Sequence, residues 1–208
     1  MKKFYGAYEN SNEINFIELP DQFVLKTNHG SGGVIICQNK DELNIKECKK
    51  QLDNDLKNNY AKVALEYHYS SIKSRVICEE YKNDGSGISP INYKIYCFNG
   101  KPECVLALAE RDRKLKRGYY DNNWNCLEYI KEEYESSNKL EKPVDLHKMF
   151  EIAADLSKPF PFVRVDLYNV VGKIYFGGLT FTPSAGVFTY LTQETLDYFG
   201  SLIDLNKY

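Results

Sequence analysis

The stretch "FVLKTNHGSGGVIIC", Phe23 to Cys37, places a loop with three glycines between two short apolar runs. Runs of this length, rich in β-branched residues and flanking a glycine cluster, read as the strands 23–27 and 33–37 of a hairpin. That constrains the fold. A phosphate-binding P-loop or a dinucleotide fingerprint needs its glycines to lead into a helix. Here they lead into a strand, so both are excluded. What remains is a glycine-rich hairpin of the kind that lies over a phosphate chain in kinases. Gly30, Gly32 and Gly33 would let the backbone approach an anion, and Lys26 would pair with it. A flexible hairpin with a snorkelling lysine is the plainer alternative.

The rest of the chain reads as helix, strand, connector, strands, helix, hairpin, helix. Residues 44–58 repeat apolar positions at Ile45, Cys48, Leu52 and Leu56, and Asn44 with Glu47 resembles a capping box. "SRVICEEY", 74–81, is a strand ending in two carboxylates, and "KNDGSGISP", 82–90, is a connector and candidate boundary. "NYKIYCF" (92–98) and "ECVLALA" (103–109) flank the turn signature "NGKP", and 117–122 is a further strand. Residues 131–142 are charged and read as a solvated connection. A helix over 145–157 carries Leu146, Met149, Ile152, Ala153 and Leu156 on one face, with Asp145 as N-cap. Residues 162–181 form a strand, an Asn-Val-Val-Gly turn and a strand, and a last helix runs over about 192–204 behind Thr192. No internal repeat is visible. The order is α+β with mostly antiparallel sheets, not a doubly wound parallel sheet.

Composition narrows the function. The chain has 208 residues, 43% of them hydrophobic, and a formal net charge of -2. A core is affordable, and no basic field points to nucleic acid. The 17 tyrosines lack an accompanying basic stripe and read as packing residues. No signal-peptide h-region follows the opening lysines, and no run approaches the ~20 apolar residues of a membrane span. The six cysteines include no CxxC pair, and four of them, Cys37, Cys78, Cys97 and Cys104, lie in strand-like runs. Buried free thiols in a reducing cytoplasm are the expectation, and zinc-ligand spacing is absent.

Further side chains join the loop. Glu79 or Glu80 could accept from an adenine amine or ribose hydroxyls. Lys94 lies in an apolar strand and is a second phosphate candidate. In "VRVDLY", Arg164 and Asp166 are two residues apart and share a strand face, as suits a metal ion and the phosphate it neutralises. A structural salt bridge is their other reading. "GGLTFTPSAG" adds a small, hydroxyl-bearing segment after the next strand.

Together "LPDQFVLKTNHGSGGVIIC", "INYKIYCFNGKP" and "FPFVRVDLYNVVGKIYFGGLTFTPSAG" resemble the TupA-like ATP-grasp family. That family is named for a teichuronopeptide biosynthesis protein and is found in cell-surface polysaccharide gene clusters. The resemblance runs from about Tyr8 to Leu205. It implies two α+β subdomains, here 1–84 and 85–208, with ATP between them and a front shorter than is usual for the family. It implies a cytoplasmic carboxylate–amine ligase using ATP and Mg2+ through an acyl phosphate. The acceptor would be a carboxylate-bearing glycan, amino acid or peptide. By the same resemblance Lys26 and Lys94 contact phosphates, and His29, Gly30, Ser31, Gly32 and Gly33 form the flap. Glu79, Glu80 and Tyr81 read adenine and ribose. Arg164 steadies the transferring phosphate, Arg111 meets the acceptor carboxylate, and Asp166 with Thr180 lies at the metal. The family usually has glutamate at Gly178 and often aspartate at Asn92. A catalytically silent nucleotide-binding subunit is therefore the alternative. A glycosyltransferase is disfavoured, because the one acidic pair of DxD form, "DND" at 53–55, falls inside a helix. The short front is expected to leave apolar surface for a homodimer or a partner subunit.

Overall fold

The computed structural model describes residues 2–30, 32–83, 90–109, 115–134 and 140–207. The chain divides into two compact units, Met1–Lys82 and Asn83–Tyr208.

The first unit holds a four-stranded antiparallel sheet of β1 (Phe4–Tyr8), β2 (Phe23–Thr27), β3 (Val34–Cys37) and β4 (Val76–Glu80), in the order β1-β4-β2-β3. Between β3 and β4 lie α1 (Ile45–Lys57) and the single turn α2 (Tyr60–Val63). The expected N-cap of α1 is present: Asn44 Oδ1 accepts from the Glu47 backbone N–H at 3.1 Å. Cys48 and Leu52 of α1 pack with Phe23, Leu25, Cys37, Val76 and Cys78 on one sheet face, and Ile14, Phe16 and Leu19 complete that core. Ile45 is 42% exposed: at the first position of the helix it precedes the seam that Cys48 and Leu52 make with the sheet.

The second unit holds a six-stranded antiparallel sheet, in the order β10-β9-β5-β6-β7-β8. Its strands are β5 (Asn92–Phe98), β6 (Lys101–Ala109), β7 (Lys116–Tyr120), β8 (Cys126–Leu127), β9 (Phe162–Val170) and β10 (Lys173–Thr180). Helix α3 (Leu146–Ser157) covers one face, where Leu146, Met149, Phe150 and Ala153 meet Ile95, Val105, Val163, Val165 and Leu167. On the other face α4 (Gln193–Ser201) contributes Phe199 to a cluster with Tyr96, Leu106, Tyr119 and Leu191. All seven residues of β5 are buried, which is why its sequence shows no clean alternation.

Three expectations are corrected. Asp145 does not cap α3 with its side chain, because its Oδ2 accepts from Asn169 Nδ2 at 3.0 Å. Phe150 enters the α3 core, whereas Leu156, placed on that face by periodicity, is 36% exposed. Strand β6 begins at Lys101 rather than 103: Asn99 and Gly100 turn with φ of 47° and 76°, and the register then skips Glu103. That irregularity is what admits Pro102 to a strand. The connector residues 84–89 lie outside the described residues.

Five cysteines are buried and Cys126 is exposed. Burial pushes the thiols of Cys78 and Cys97 up to about 12 and that of Cys48 to about 11. Thiolate is the reactive form. Titration of the native protein with a chromogenic disulfide should therefore give one fast equivalent, lost in Cys126→Ser, with the remainder released only on unfolding.

Candidate functional site

On the first sheet, alternation sends Phe23, Leu25 and Cys78 to the core and leaves Val24, Lys26, Ile77 and Glu79 on the open face. There the Lys26 Nζ lies 2.9 Å from Glu79 Oε2, and Lys2 Nζ lies 3.0 Å from Oε1. Val34 and Ile36 of β3 extend this face as exposed apolar side chains. Burial works to raise the Glu79 pKa, but the two lysines more than offset it and the net shift is downward. Glu80 pairs with Phe23, so it points to the opposite face, where it meets Lys82 at 2.6 Å and accepts from the Lys3 backbone N–H. Tyr81 is buried.

The glycine loop is anchored at its first half. Asn28 Oδ1 accepts from the Arg75 N–H at 2.8 Å, and Asn28 Nδ2 donates to the Lys73 carbonyl. His29 is buried, its Nε2 3.2 Å from the Asn58 carbonyl oxygen past the end of α1, so the ring faces inward. Gly30 lies so close to the Tyr60 ring that a Cβ would sit 2.7 Å from it. Gly32 and Gly33 have φ of 99° and 59°, in the region glycine favours. Ser31 lies outside the described residues, as does Arg111.

The second unit brings three charged side chains together on the sheet face opposite α3. Antiparallel register pairs Lys94 of β5 with Asp166 of β9, and Tyr96 with Arg164. Lys94 Nζ donates to Asp166 Oδ2 at 2.5 Å. Arg164 donates through Nε to Oδ1 at 2.7 Å and through Nη2 to Oδ2 at 3.0 Å. The same Nη2 reaches Thr180 Oγ1 at 2.9 Å. Burial works to lower the Arg164 pKa, but Asp166 outweighs it and the net shift is upward. Asn92 Nδ2 donates to Tyr168 Oη at 3.2 Å.

Strict alternation puts Phe176, Gly178 and Thr180 on one face. The structure corrects this with a bulge: Phe176 pairs with Leu167 and Gly178 with Asp166, leaving Gly177 as the extra residue. Phe176 thus moves to the α3 side, while Gly178 and Thr180 flank Asp166 and Arg164. Gly177 is sterically required, since a Cβ would lie 2.9 Å from the Asp166 carbonyl oxygen; at Gly178 a Cβ meets nothing within 4 Å.

Lys94, Arg164, Asp166 and Thr180 are therefore one cluster, and Lys26 with Glu79 is another. Sequence reasoning missed Tyr96, which stands beside Arg164 and whose hydroxyl accepts from Tyr119 Oη at 3.2 Å. The two-residue step from Lys94 along β5 was the available signal. For a divalent cation, the donors in the cluster are the Asp166 carboxylate and the Thr180 hydroxyl. No group of three His, Cys, Asp or Glu suited to a metal occurs among the described residues. One carboxylate with phosphate oxygens and water is sufficient for magnesium, so these residues fit that ion only alongside a phosphate ligand.

A family model described as TupA-like ATPgrasp matches residues 4–204. Among solved structures, D-alanine–D-alanine ligase from Bacillus anthracis complexed with ATP is similar over 96% of this chain and 55% of that one, with 18% identity and a TM-score of 0.54. The ATP-grasp ligase PsnB with a precursor variant, Mg and ADP matches over 98% and 53%, at 9% identity and a TM-score of 0.44. Phosphoribosylamine–glycine ligase from Thermotoga maritima matches over 86% and 43%, at 15% and 0.45. The chain spans about half the length of these structures. No protein with a curated description matches it significantly.

Two outcomes follow from this geometry. Gly177→Ala should lower stability by about 1–3 kcal/mol in denaturant unfolding, whereas Gly178→Ala should stay within about 0.5 kcal/mol of the parent. Glu79 is held below its ordinary value of 4.5. Its contribution is thus present above that value and lost as pH falls through the folded one. Glu79→Gln should be destabilised near neutral pH, and its deficit relative to the parent should vanish in acid; a deficit independent of pH would remove the linkage.

Proposed function

The chain belongs to the TupA-like ATP-grasp family, and on that premise we propose that it is an ATP-dependent ligase joining a carboxylate to an amine. The observation that carries the reading is the cluster of Lys94, Arg164 and Asp166 on one sheet face. Phosphoryl transfer asks a protein chiefly for positioning and charge neutralisation. Lys94 and Arg164 supply two fixed cations, and the guanidinium fork suits a bidentate phosphate contact. Within the first unit, the open sheet face with Lys26, Val24, Ile36 and Ile77 offers by itself a cation for a phosphate oxygen and an apolar surface on which a purine ring can lie. Glu79 would accept from adenine or ribose donors. The flap would be the loop His29–Gly33.

In the reaction proposed, a carboxylate oxygen of the acceptor attacks the terminal phosphorus and the bond to the ADP oxygen breaks. The amine then attacks the acyl carbon, phosphate leaves and the amine proton is lost. Arg164 would hold the charge that builds on the phosphoryl oxygens in both steps. Asp166, with the Thr180 hydroxyl, would hold magnesium together with phosphate oxygens. When bound, the ion neutralises phosphate charge as a Lewis acid. The substrate class favoured by the family is a surface polysaccharide or teichuronopeptide carboxylate, with glycan, amino-acid or peptide acceptors, and the setting is cytoplasmic. No described helix is long and apolar enough to cross a membrane.

A silent nucleotide-binding role is the second reading, favoured by Gly178, which faces Asp166 without a side chain. The two part on acceptor-dependent ADP release. ATP with magnesium should raise the melting temperature, and Lys26→Ala with Lys94→Ala should abolish the rise; equal shifts would remove the phosphate-contact assignment. Gly178→Glu, for which the structure has open space, should strengthen magnesium-dependent ATP binding and raise ADP formation. Unchanged magnesium affinity in the folded variant would show that this position is no ligand site.

A further inference from the structure

Asp166 is heavily engaged by its neighbours, with three of its roughly four acceptor positions taken. Its two oxygens receive three N–H donors, at 2.5, 2.7 and 3.0 Å, from Lys94 and Arg164. Side-chain exposures of 11%, 12% and 15% for Lys94, Asp166 and Arg164 leave a thin opening to solvent. Asp166 thus faces two cations, Lys94 and Arg164. A cation arriving alone would meet a carboxylate most of whose acceptor positions are taken and which stands between two cations. An arriving phosphate meets the reverse. It carries more charge than a carboxylate, offers more oxygens, and can engage the Arg164 fork in two bonds. Space exists for the displaced carboxylate, because Gly178, its partner across the β9–β10 pair, leaves the adjoining position open. Arg164 Nη2 also donates to Thr180 Oγ1, a contact that does not pass through Asp166.

We propose that Asp166 is an internal stand-in for the phosphate anion: a phosphate chain binds Lys94 and Arg164 without a divalent cation by displacing Asp166, and a divalent cation gains its protein ligand only after that displacement. The displaced carboxylate and the bound phosphate are like charges side by side. A divalent cation bridging them removes that repulsion, so demand for the metal is created by the anion. The order of binding is thus phosphate first, metal second. The proposal rests on the functional reading above only in taking phosphate as the anion.

Calorimetry on the whole chain tests it with tripolyphosphate, ATP and Mg2+ as separate probes. Mg2+ alone should give no binding, tripolyphosphate in EDTA should bind, and Mg2+ added afterwards should tighten it. Asp166→Asn should bind metal-free tripolyphosphate about tenfold more tightly, because the internal competitor is gone, and Mg2+ should add nothing. Binding of Mg2+ to the anion-free protein, tripolyphosphate binding that requires Mg2+, or weaker metal-free binding by a folded Asp166→Asn would each overturn the proposal. So would no binding of tripolyphosphate at all. If Asp166→Asn fails to give a cooperative melt, the three wild-type titrations decide alone. Tripolyphosphate binding as expected with ATP no tighter would sustain this inference and overturn the nucleotide reading instead.

Discussion

Everything at the candidate site depends on one carboxylate holding two cations on the face of an antiparallel sheet. Asp166 draws Lys94 and Arg164 into a partly desolvated position that neither would occupy alone. The desolvation of such groups is offset only when the geometry satisfies their hydrogen bonds, and removing one member leaves the others uncompensated, at about 3–5 kcal/mol. Here the geometry is supplied by register. β5 and β9 are adjacent, and their pairing sets Lys94 opposite Asp166. The reverse face of the same two strands, Ile95, Val163, Val165 and Leu167, is locked under α3. A slip of one residue would send the charged set into that core.

The first unit repeats the device in a lighter form. Lys26 is held by Glu79, as Lys94 is held by Asp166; the first pair lies on the sheet face away from α1, the second on the face away from α3, which also carries the α4 cluster. A lysine fixed by a carboxylate loses less freedom when it engages an anion, because its side chain is already ordered. Glu79 also takes Lys2, so this carboxylate too meets two cations. Both units thus fix lysines on a sheet face, partly exposed in the first and largely buried in the second, although the chain as a whole is slightly acidic.

Much of this was legible from local pattern. The hairpins, α1, α3 and α4 follow from period-2 and helical spacing with turn and cap residues, and element boundaries moved by up to three residues, the most at the end of α4. Lys26, Lys94, Arg164 and Asp166 stood out because a charged residue inside an apolar strand run must have a partner or a purpose. What the pattern could not show was which partner. Glu79 and Glu80 are equivalent in sequence, and the pleat alone separates them, turning Glu79 to Lys26 and Glu80 to Lys82. His29 read as part of an anion-facing loop, yet its ring is turned onto the end of α1, a contact between residues 29 positions apart.

The sequence by itself determined the strand and helix segments, their antiparallel arrangement, the family, and which charged side chains lie in apolar strands. These follow from the period of apolar residues and from motifs a few residues long. Tertiary structure alone decided that Asp166 holds Lys94 and Arg164 at once, that Thr180 joins them, and that Phe176 parts company with Gly178 at a bulge. The reason is physical. Strand pairing joins residues up to 76 positions apart, and a single bulged residue reverses the face of everything on one side of it. Neither the pairing nor the bulge leaves a trace in local periodicity.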